Sequence, residues 1–279
     1  LLEKQESGLY KGIICVEEGS QVSWAIMISA YGASDIGKKR QRNEDSYVVN
    51  RDIHLYAVAD GMGGHNAGDV ASATAAKTIE NFMVRSYQER ELTWPFGIDP
   101  KMSFDANRLR TAIKLANHKI WQLADSHQEY TGMGTTAVAV TITEDVASIV
   151  SVGDSRAYLW RENEVKLLTR DDVWLNETWV RRAFTEEQLQ KIPLKNVLSK
   201  AIGSKEDIEF PIQEVQLADG DLILLCSDGL HGLVEPEEMG TVLRKTEGDL
   251  AGICDALIRL ANDAGGRDNI TCIAVKYKK

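Results

Sequence analysis

The chain has 279 residues, 43% hydrophobic and 27% charged, enough to bury a full core in one large domain or two small ones. A net charge of −10, with no basic run longer than Lys38-Lys39-Arg40, argues against nucleic acid or an anionic membrane as a partner. No apolar run reaches the ~18 residues of a membrane span, and no basic stretch precedes the apolar Gln21–Ala30, so neither a spanning helix nor a signal peptide is expected.

Residues 1–23 read as a lead-in and residues 24–279 as the folded unit. The first apolar segment runs from Trp24 to Tyr31, and strands are predicted near Asp45–Asn50 and His54–Ala59. Asn66–Gln88 has helical period, with Val70, Ala73, Ala76, Ile79 and Met83 near one face. After a proline-containing loop at Leu92–Pro100, a second long helix is expected over Phe104–His127, its stripe made by Leu109, Ile113, Ala116, Ile120 and Leu123. Thr135–Thr143, Val146–Val152 and Arg156–Arg161 read as strands, and Glu162-Asn163 as a turn before Val165–Leu168. Residues 171–196 are mixed and polar. A strand over Asp221–Cys226, helices near Pro236–Lys245 and Gly248–Ala264, and a final strand complete the chain. Strands and helices do not alternate strictly, so the order fits an α+β fold of two antiparallel sheets packed together and flanked by helices.

The cysteines Cys15, Cys226, Cys254 and Cys272 form no Cys-x-x-Cys pair and read as reduced structural thiols of a cytosolic protein. Residues six places after each are Gln21, Gly232, Leu260 and Lys278, so no Cys-x5-Arg phosphatase loop exists. A Gly-x-Ser-x-Gly elbow and a Gly-x4-Gly-Lys-Ser/Thr loop are also absent. Asp219-Gly220-Asp221 precedes its strand, which makes it a hairpin turn and not an aspartyl-phosphate motif. The histidines show no zinc-ligand spacing; His65, beside the glycine turn Gly61-Met62-Gly63-Gly64, is the one with a plausible place near a site.

Four aspartates at the ends of apolar segments remain: Asp60, Asp154, Asp228 and Asp268. If they converge they repel one another, and an all-oxygen set calls for a hard divalent cation such as Mg²⁺ or Mn²⁺. Arg40-Gln41-Arg42-Asn43-Glu44-Asp45 adds cations and two more carboxylates upstream. Together with Asp60-Gly61-Met62-Gly63-Gly64-His65, Gly132-Met133-Gly134-Thr135-Thr136, Gly153-Asp154-Ser155-Arg156, Ser227-Asp228-Gly229 and Gly266-Arg267-Asp268-Asn269-Ile270-Thr271, this order resembles the metal-dependent serine/threonine protein phosphatases of the 2C type in their bacterial form.

The resemblance implies a four-layer αββα sandwich with a binuclear site at one edge. It implies that Asp60 and the Gly61 carbonyl, with Asp228 and Asp268, hold two Mn²⁺ or Mg²⁺ ions, and that Asp154 joins Asp228 at a weaker third. Glu44 and Asp45 would hold metal-bound waters, and Arg40 would grip the substrate phosphate. A bridging water acidified by the metals would attack phosphorus directly. Met62 stands where some relatives have histidine, Asp69 where many have glutamate, and Asn196 where some have serine; residues 171–196 would form the flap bordering the site. Thr135-Thr136 is expected to start a strand, and Arg156 to pair with a carboxylate. The implied partners are phosphorylated proteins, including a Ser/Thr kinase or its targets, acted on by a cytoplasmic monomer. Two other readings fit the same residues: a pseudophosphatase serving as a binding module, and a phosphatase of small esters.

Overall fold

The computed structural model describes residues 26–63, 67–89, 92–185, 188–189, 197–246 and 248–279. The lead-in to residue 23, Trp24, His65 and Asn196 lie outside them, as does part of the 171–196 segment.

One antiparallel sheet has the order β1 (Met27–Asp35), β11 (Ile270–Lys278), β10 (Leu222–Cys226), β7 (Arg156–Arg161) and β8 (Glu164–Leu167). The other runs β2 (Asp45–Asn50), β3 (Leu55–Met62), β5 (Ala137–Thr143), β6 (Val146–Val152) and β9 (Ile212–Gln216), with the two-residue β4 (Gly134–Thr135) paired to the end of β3. The long helices α1 (Gly68–Gln88) and α2 (Phe104–Ser126) cover the second sheet. The short α4 (Asp228–His231) with α5 (Pro236–Lys245) and α6 (Leu250–Asp263) covers the first, and α3 (Thr178–Ala183) lies in the segment after β8.

Strand periodicity explains the four layers. Along β3, Leu55, Ala57 and Ala59 pack toward α1 and α2, whereas Tyr56 and Val58 pack between the sheets. Along β10, Leu222, Leu224 and Cys226 face the helices, and Ile223 and Leu225 face the opposing sheet. Successive side chains leave a strand on opposite faces, so a strand covered on both faces reads as an unbroken apolar run. That is why these segments lack the alternation of a half-exposed sheet.

The expected helices and most strands lie within a few residues of their places, and Glu162 and Asn163 take the positive φ values (52° and 65°) of a tight hairpin. Three details differ. Ala73 is exposed, and the buried face of α1 is carried by Ala71, Ala75, Ile79, Phe82 and Met83. Thr135–Thr143 is broken at Thr136, whose backbone N–H bonds to Asp60 instead of a ladder partner. β9 went unpredicted because only Ile212 and Val215 are even half-buried in it. Among the described residues no helix is long and apolar enough to cross a membrane.

Ile79 is wholly buried between α1, α2 and the sheet. Replacing it by alanine is expected to cost about 2–4 kcal/mol in urea unfolding, from lost burial plus the cavity left behind.

Candidate metal centre

The sheets stop being apolar at one end, and the acidic residues gather there. Asp45 and Asp60 stand directly opposite each other on β2 and β3. Asp60 continues the parity of Tyr56 and Val58, the side of β3 that faces the other sheet. Two like charges in a cross-strand pair oppose the pairing, so the surroundings must compensate.

The compensation for Asp45 comes from the opposite sheet. Its Oδ2 accepts hydrogen bonds from the hydroxyls of Ser227 (2.8 Å) and Thr271 (2.6 Å), just after β10 and within β11. Its Oδ1 is buried with no hydrogen-bond partner among the described residues, and the same holds for Asp228 Oδ1. Asp60 and Asp228 lie close enough for the charge of Asp228 to raise the Asp60 carboxyl, a repulsion that a proton or a cation between them would relieve.

Backbone contacts set the Asp60 position. Its carbonyl accepts from the Thr135 hydroxyl and the Thr136 N–H, both at 2.8 Å, and its N–H donates to Thr136 Oγ1 at 3.1 Å. Thr136 and Ser155 hydroxyls bond each other at 2.6 Å, which links Asp60 to the turn carrying Asp154. Thr135-Thr136 therefore does more than start a strand. At Gly61 a Cβ would fall 2.0 Å from the Gly68 carbonyl oxygen and 2.6 Å from that of Glu44, so no larger residue fits where β3 meets the start of α1. Gly229 has the same role beside Asp228, where a Cβ would sit 1.9 Å from the Asn269 carbonyl oxygen.

Asp268 accepts a hydrogen bond from the Arg40 guanidinium at 2.7 Å, and half of the Arg40 side chain remains exposed. Next to Asp268, buried Asn269 has a role that its place in the motif does not reveal. Its amide nitrogen donates to the carbonyls of Ile36 (3.0 Å) and Arg42 (2.9 Å), and its oxygen accepts from Glu44 N–H (2.8 Å). One side chain thus fixes the loop that carries Arg40, Glu44 and Asp45. Asp154 is buried, and His231 Nε2 bonds its backbone oxygen at 2.9 Å. Arg156 grips Asp171 through two nitrogens (2.9 and 2.7 Å), the expected carboxylate pairing. The Asp219-Gly220-Asp221 turn is not the expected hairpin, since it joins β9 of one sheet to β10 of the other, and its Asp221 is held by Arg161 at 2.9 and 2.6 Å as a structural anchor.

Burial and mutual repulsion both act on the carboxyls. Burial, then the charges of Asp45, Asp228, Asp268 and Asp154, holds Asp60 well above the usual range. Asp45 is pushed up to about 6 by burial, against the pull of its two hydroxyl donors, and Asp154 up to about 7 by burial and the nearby Asp228. Glu44 is raised by burial in spite of Arg40. Among the described residues no three His, Cys, Asp or Glu side chains close into a complete ligand set. The donor chemistry nonetheless fits hard divalent cations. It is all oxygen, it includes buried carboxylate oxygens without partners, and it holds more negative charge than Arg40 alone offsets. Cysteine chemistry does not fit, because burial pushes the Cys226 thiol up to about 12.

The frame and its acidic end define an α+β sandwich with a site suited to hard cations and the anions they attract. The chain belongs to the protein phosphatase 2C family, whose model matches residues 32–271. It is 36% identical over 251 residues to the serine/threonine phosphatase stp of Listeria monocytogenes, covering 87% of this chain and 93% of that one. It is 34% identical over 253 residues to protein phosphatase PhpP of Streptococcus pneumoniae, covering 88% and 96%. Among solved structures, the Mycobacterium tuberculosis serine/threonine phosphatase PstP/Ppp superposes with a TM-score of 0.76 at 28% identity, over 90% of this chain and 99% of that one. The catalytic domain of PstP in complex with two manganese ions gives 0.74 at 28% identity, over 91% and 100%.

Two measurements follow from these contacts. Asn269→Ala removes three hydrogen bonds of a buried side chain and leaves the backbone groups of Ile36, Arg42 and Glu44 without that partner, and is expected to cost about 2–3 kcal/mol in urea unfolding. The raised carboxyls of Asp45 and Asp154 bind protons more tightly folded than unfolded. Their contribution to stability is complete below about pH 4 and is lost as pH rises through 6 to 7. Metal-stripped protein should therefore lose Tm between pH 5 and pH 8; a Tm that rises over that interval contradicts this assignment.

Proposed function

We propose that this chain is a metal-dependent phosphatase of phosphoserine and phosphothreonine in proteins, working by direct attack of water on phosphorus. The observation that carries the reading is the convergence of Asp45, Asp60, Asp228 and Asp268 at the open end of the two sheets, in a chain of the 2C family. Asp60, the Gly61 carbonyl, Asp228 and Asp268 would hold two Mn²⁺ or Mg²⁺ ions, and Asp154 with Asp228 a third. Bound there, divalent cations would supply the positive charge that makes a water nucleophilic near neutral pH and neutralises phosphoryl oxygens.

The chain's own groups do the rest. The free Oδ1 of Asp45 and the carboxyl of Glu44 orient water at the centre, while Ser227 and Thr271 keep Asp45 from rotating. Arg40 exchanges its Asp268 contact for the substrate phosphate, whose tetrahedral oxygens match the guanidinium fork. Thr135 and Thr136 fix Asp60 through its backbone, so its carboxyl stays in register while charge moves. Met62 is a thioether with no proton to give, so the leaving oxygen takes its proton from another donor. No protein nucleophile is needed. Asp171 and Asp172 hold the start of the segment after β8 against Arg156 and Gly153, beside Asp154, and substrate selection falls to that segment. A Ser/Thr kinase or its targets are the fitting partners, the protein acts as a cytoplasmic monomer, and the free, buried Cys226, Cys254 and Cys272 agree with a reducing compartment.

Metal-stripped protein should hydrolyse a phosphothreonine peptide only when Mn²⁺ or Mg²⁺ is restored, and thiol alkylation should not matter. Asp60→Asn and Asp228→Asn should each lower kcat by at least about a thousandfold with the fold retained by circular dichroism. Retained activity in both would sink the two-metal reading. Arg40→Ala should raise KM for phosphopeptide more than it lowers kcat; the opposite split would move Arg40 from binding to transition-state stabilisation.

A further inference from the structure

Beside the acidic centre lies a cavity of about 320 Å³ that the chemistry above does not use. Its walls include Met62, Trp121, Ala124, Asp125, Met133 and Ser204. Three connections tie it to the centre. Met62 lies two residues beyond Asp60 on β3, about 7 Å along an extended chain. Met62 stands opposite Gly134 in the β3–β4 pair, and Thr135, which holds the Asp60 carbonyl, bridges to Ile202 and so brings residues 201–204 to the far wall. Gly203 (φ 88°) seats that wall flush on α2, since a Cβ there would fall 2.2 Å from Ile120 Cγ2.

The lining is of two kinds. Met62 and Ala124 offer apolar surface over a floor closed by the buried Met133, and Trp121 adds an aromatic face steadied by His118, whose ring stacks on it at 6.1 Å and 29°. Asp125 is exposed at the rim and, among the described residues, has no cation paired with it. Gly132 (φ 78°) lies at the rim with nothing within 4 Å of the place where a Cβ would be, so the mouth is open. An apolar slot with an aromatic wall and a carboxylate at its mouth matches a long aliphatic stem that ends in a cation. The chain's net charge of −10 favours such a group further.

We propose that this cavity is a substrate subsite that takes a lysine or arginine side chain close to the phosphorylated residue, its stem along Met62 and Trp121 and its charge on Asp125. The inference rests on the phosphoprotein phosphatase reading above. It assigns to α2, a helix that otherwise only covers the sheet, a part in choosing substrates. Met62, one wall of the cavity, lies about 7 Å along β3 from Asp60, so the cation is sought within three positions of the phosphoresidue.

The test is steady-state kinetics with Mn²⁺ on phosphothreonine peptides that differ in one residue, lysine, alanine or glutamate, at each position within three of the phosphothreonine. Hydrolysis of p-nitrophenyl phosphate by the same protein reports on the metal centre without any peptide. The lysine peptide is expected to exceed the alanine peptide about fivefold in kcat/KM at one of those positions, the range of a partly exposed ion pair. Asp125→Asn should bring that ratio close to one, and Asp125→Lys should make the glutamate peptide the better substrate. Trp121→Ala should shrink the lysine preference without reversing it. Turnover of p-nitrophenyl phosphate with equal rates on all three peptides, or a lysine preference that survives both Asp125 variants, overturns the subsite and leaves the phosphatase reading in place. No turnover of any substrate, the small ester included, overturns that reading and the subsite with it.

Discussion

The structure depends on the opposition of Asp45 and Asp60 across β2 and β3. Two carboxylates at a directly opposed pair weaken the strand pairing they belong to, and their burial makes the charge costlier still. Nearly every polar contact at this end of the sandwich can be read as an answer to that cost. Ser227 and Thr271 reach across from the other sheet to hold Asp45. Thr135 and Thr136 take both backbone groups of Asp60, and Arg40 lies on Asp268. What is left over, unpartnered carboxylate oxygen and excess negative charge, is what a site for divalent cations requires.

The rest of the fold supplies the rigidity that keeps such a cluster together. Three apolar layers, one between the sheets and one under each of the two helix groups, are built by strands whose alternate residues belong to different layers. The acidic residues come where those strands run out, so each carboxyl is carried by a backbone that is fixed on one side by a core. Glycines at 61 and 229 allow that backbone to approach its neighbours more closely than any side chain permits. The arrangement resists collapse of the like charges onto solvent because moving any one of them would disturb a packed layer.

Much of this was legible from residue order. The long helices and the main strands follow from periodicity, and the acidic motifs stand at the ends of apolar runs where a reader can pick them out. Less legible were residues that act through their backbone or on someone else's. Thr136 reads as a strand residue because β-branched side chains favour strands, yet its hydroxyl and N–H both serve Asp60. Asn269 ties together residues 36–44 from more than two hundred positions away, and His231 bonds the Asp154 backbone across 77. No local pattern encodes such partners. Ala73 shares the period of the apolar stripe yet is exposed, because an alanine-rich helix offers little contrast between its sides.

By itself the sequence determined the α+β class, the acidic chemistry and the family resemblance, since these rest on residue type, local period and motif order. Only the tertiary structure decided which oxygens lack partners, which hydroxyls reach across the sheets, and that Met62 shares a cavity with Trp121 and Asp125. The physical reason is distance along the chain. Periodicity and propensity act over a few residues, whereas the pairing of strands and the meeting of two sheets place groups from remote segments within hydrogen-bonding range, and it is there that charge, burial and geometry are set.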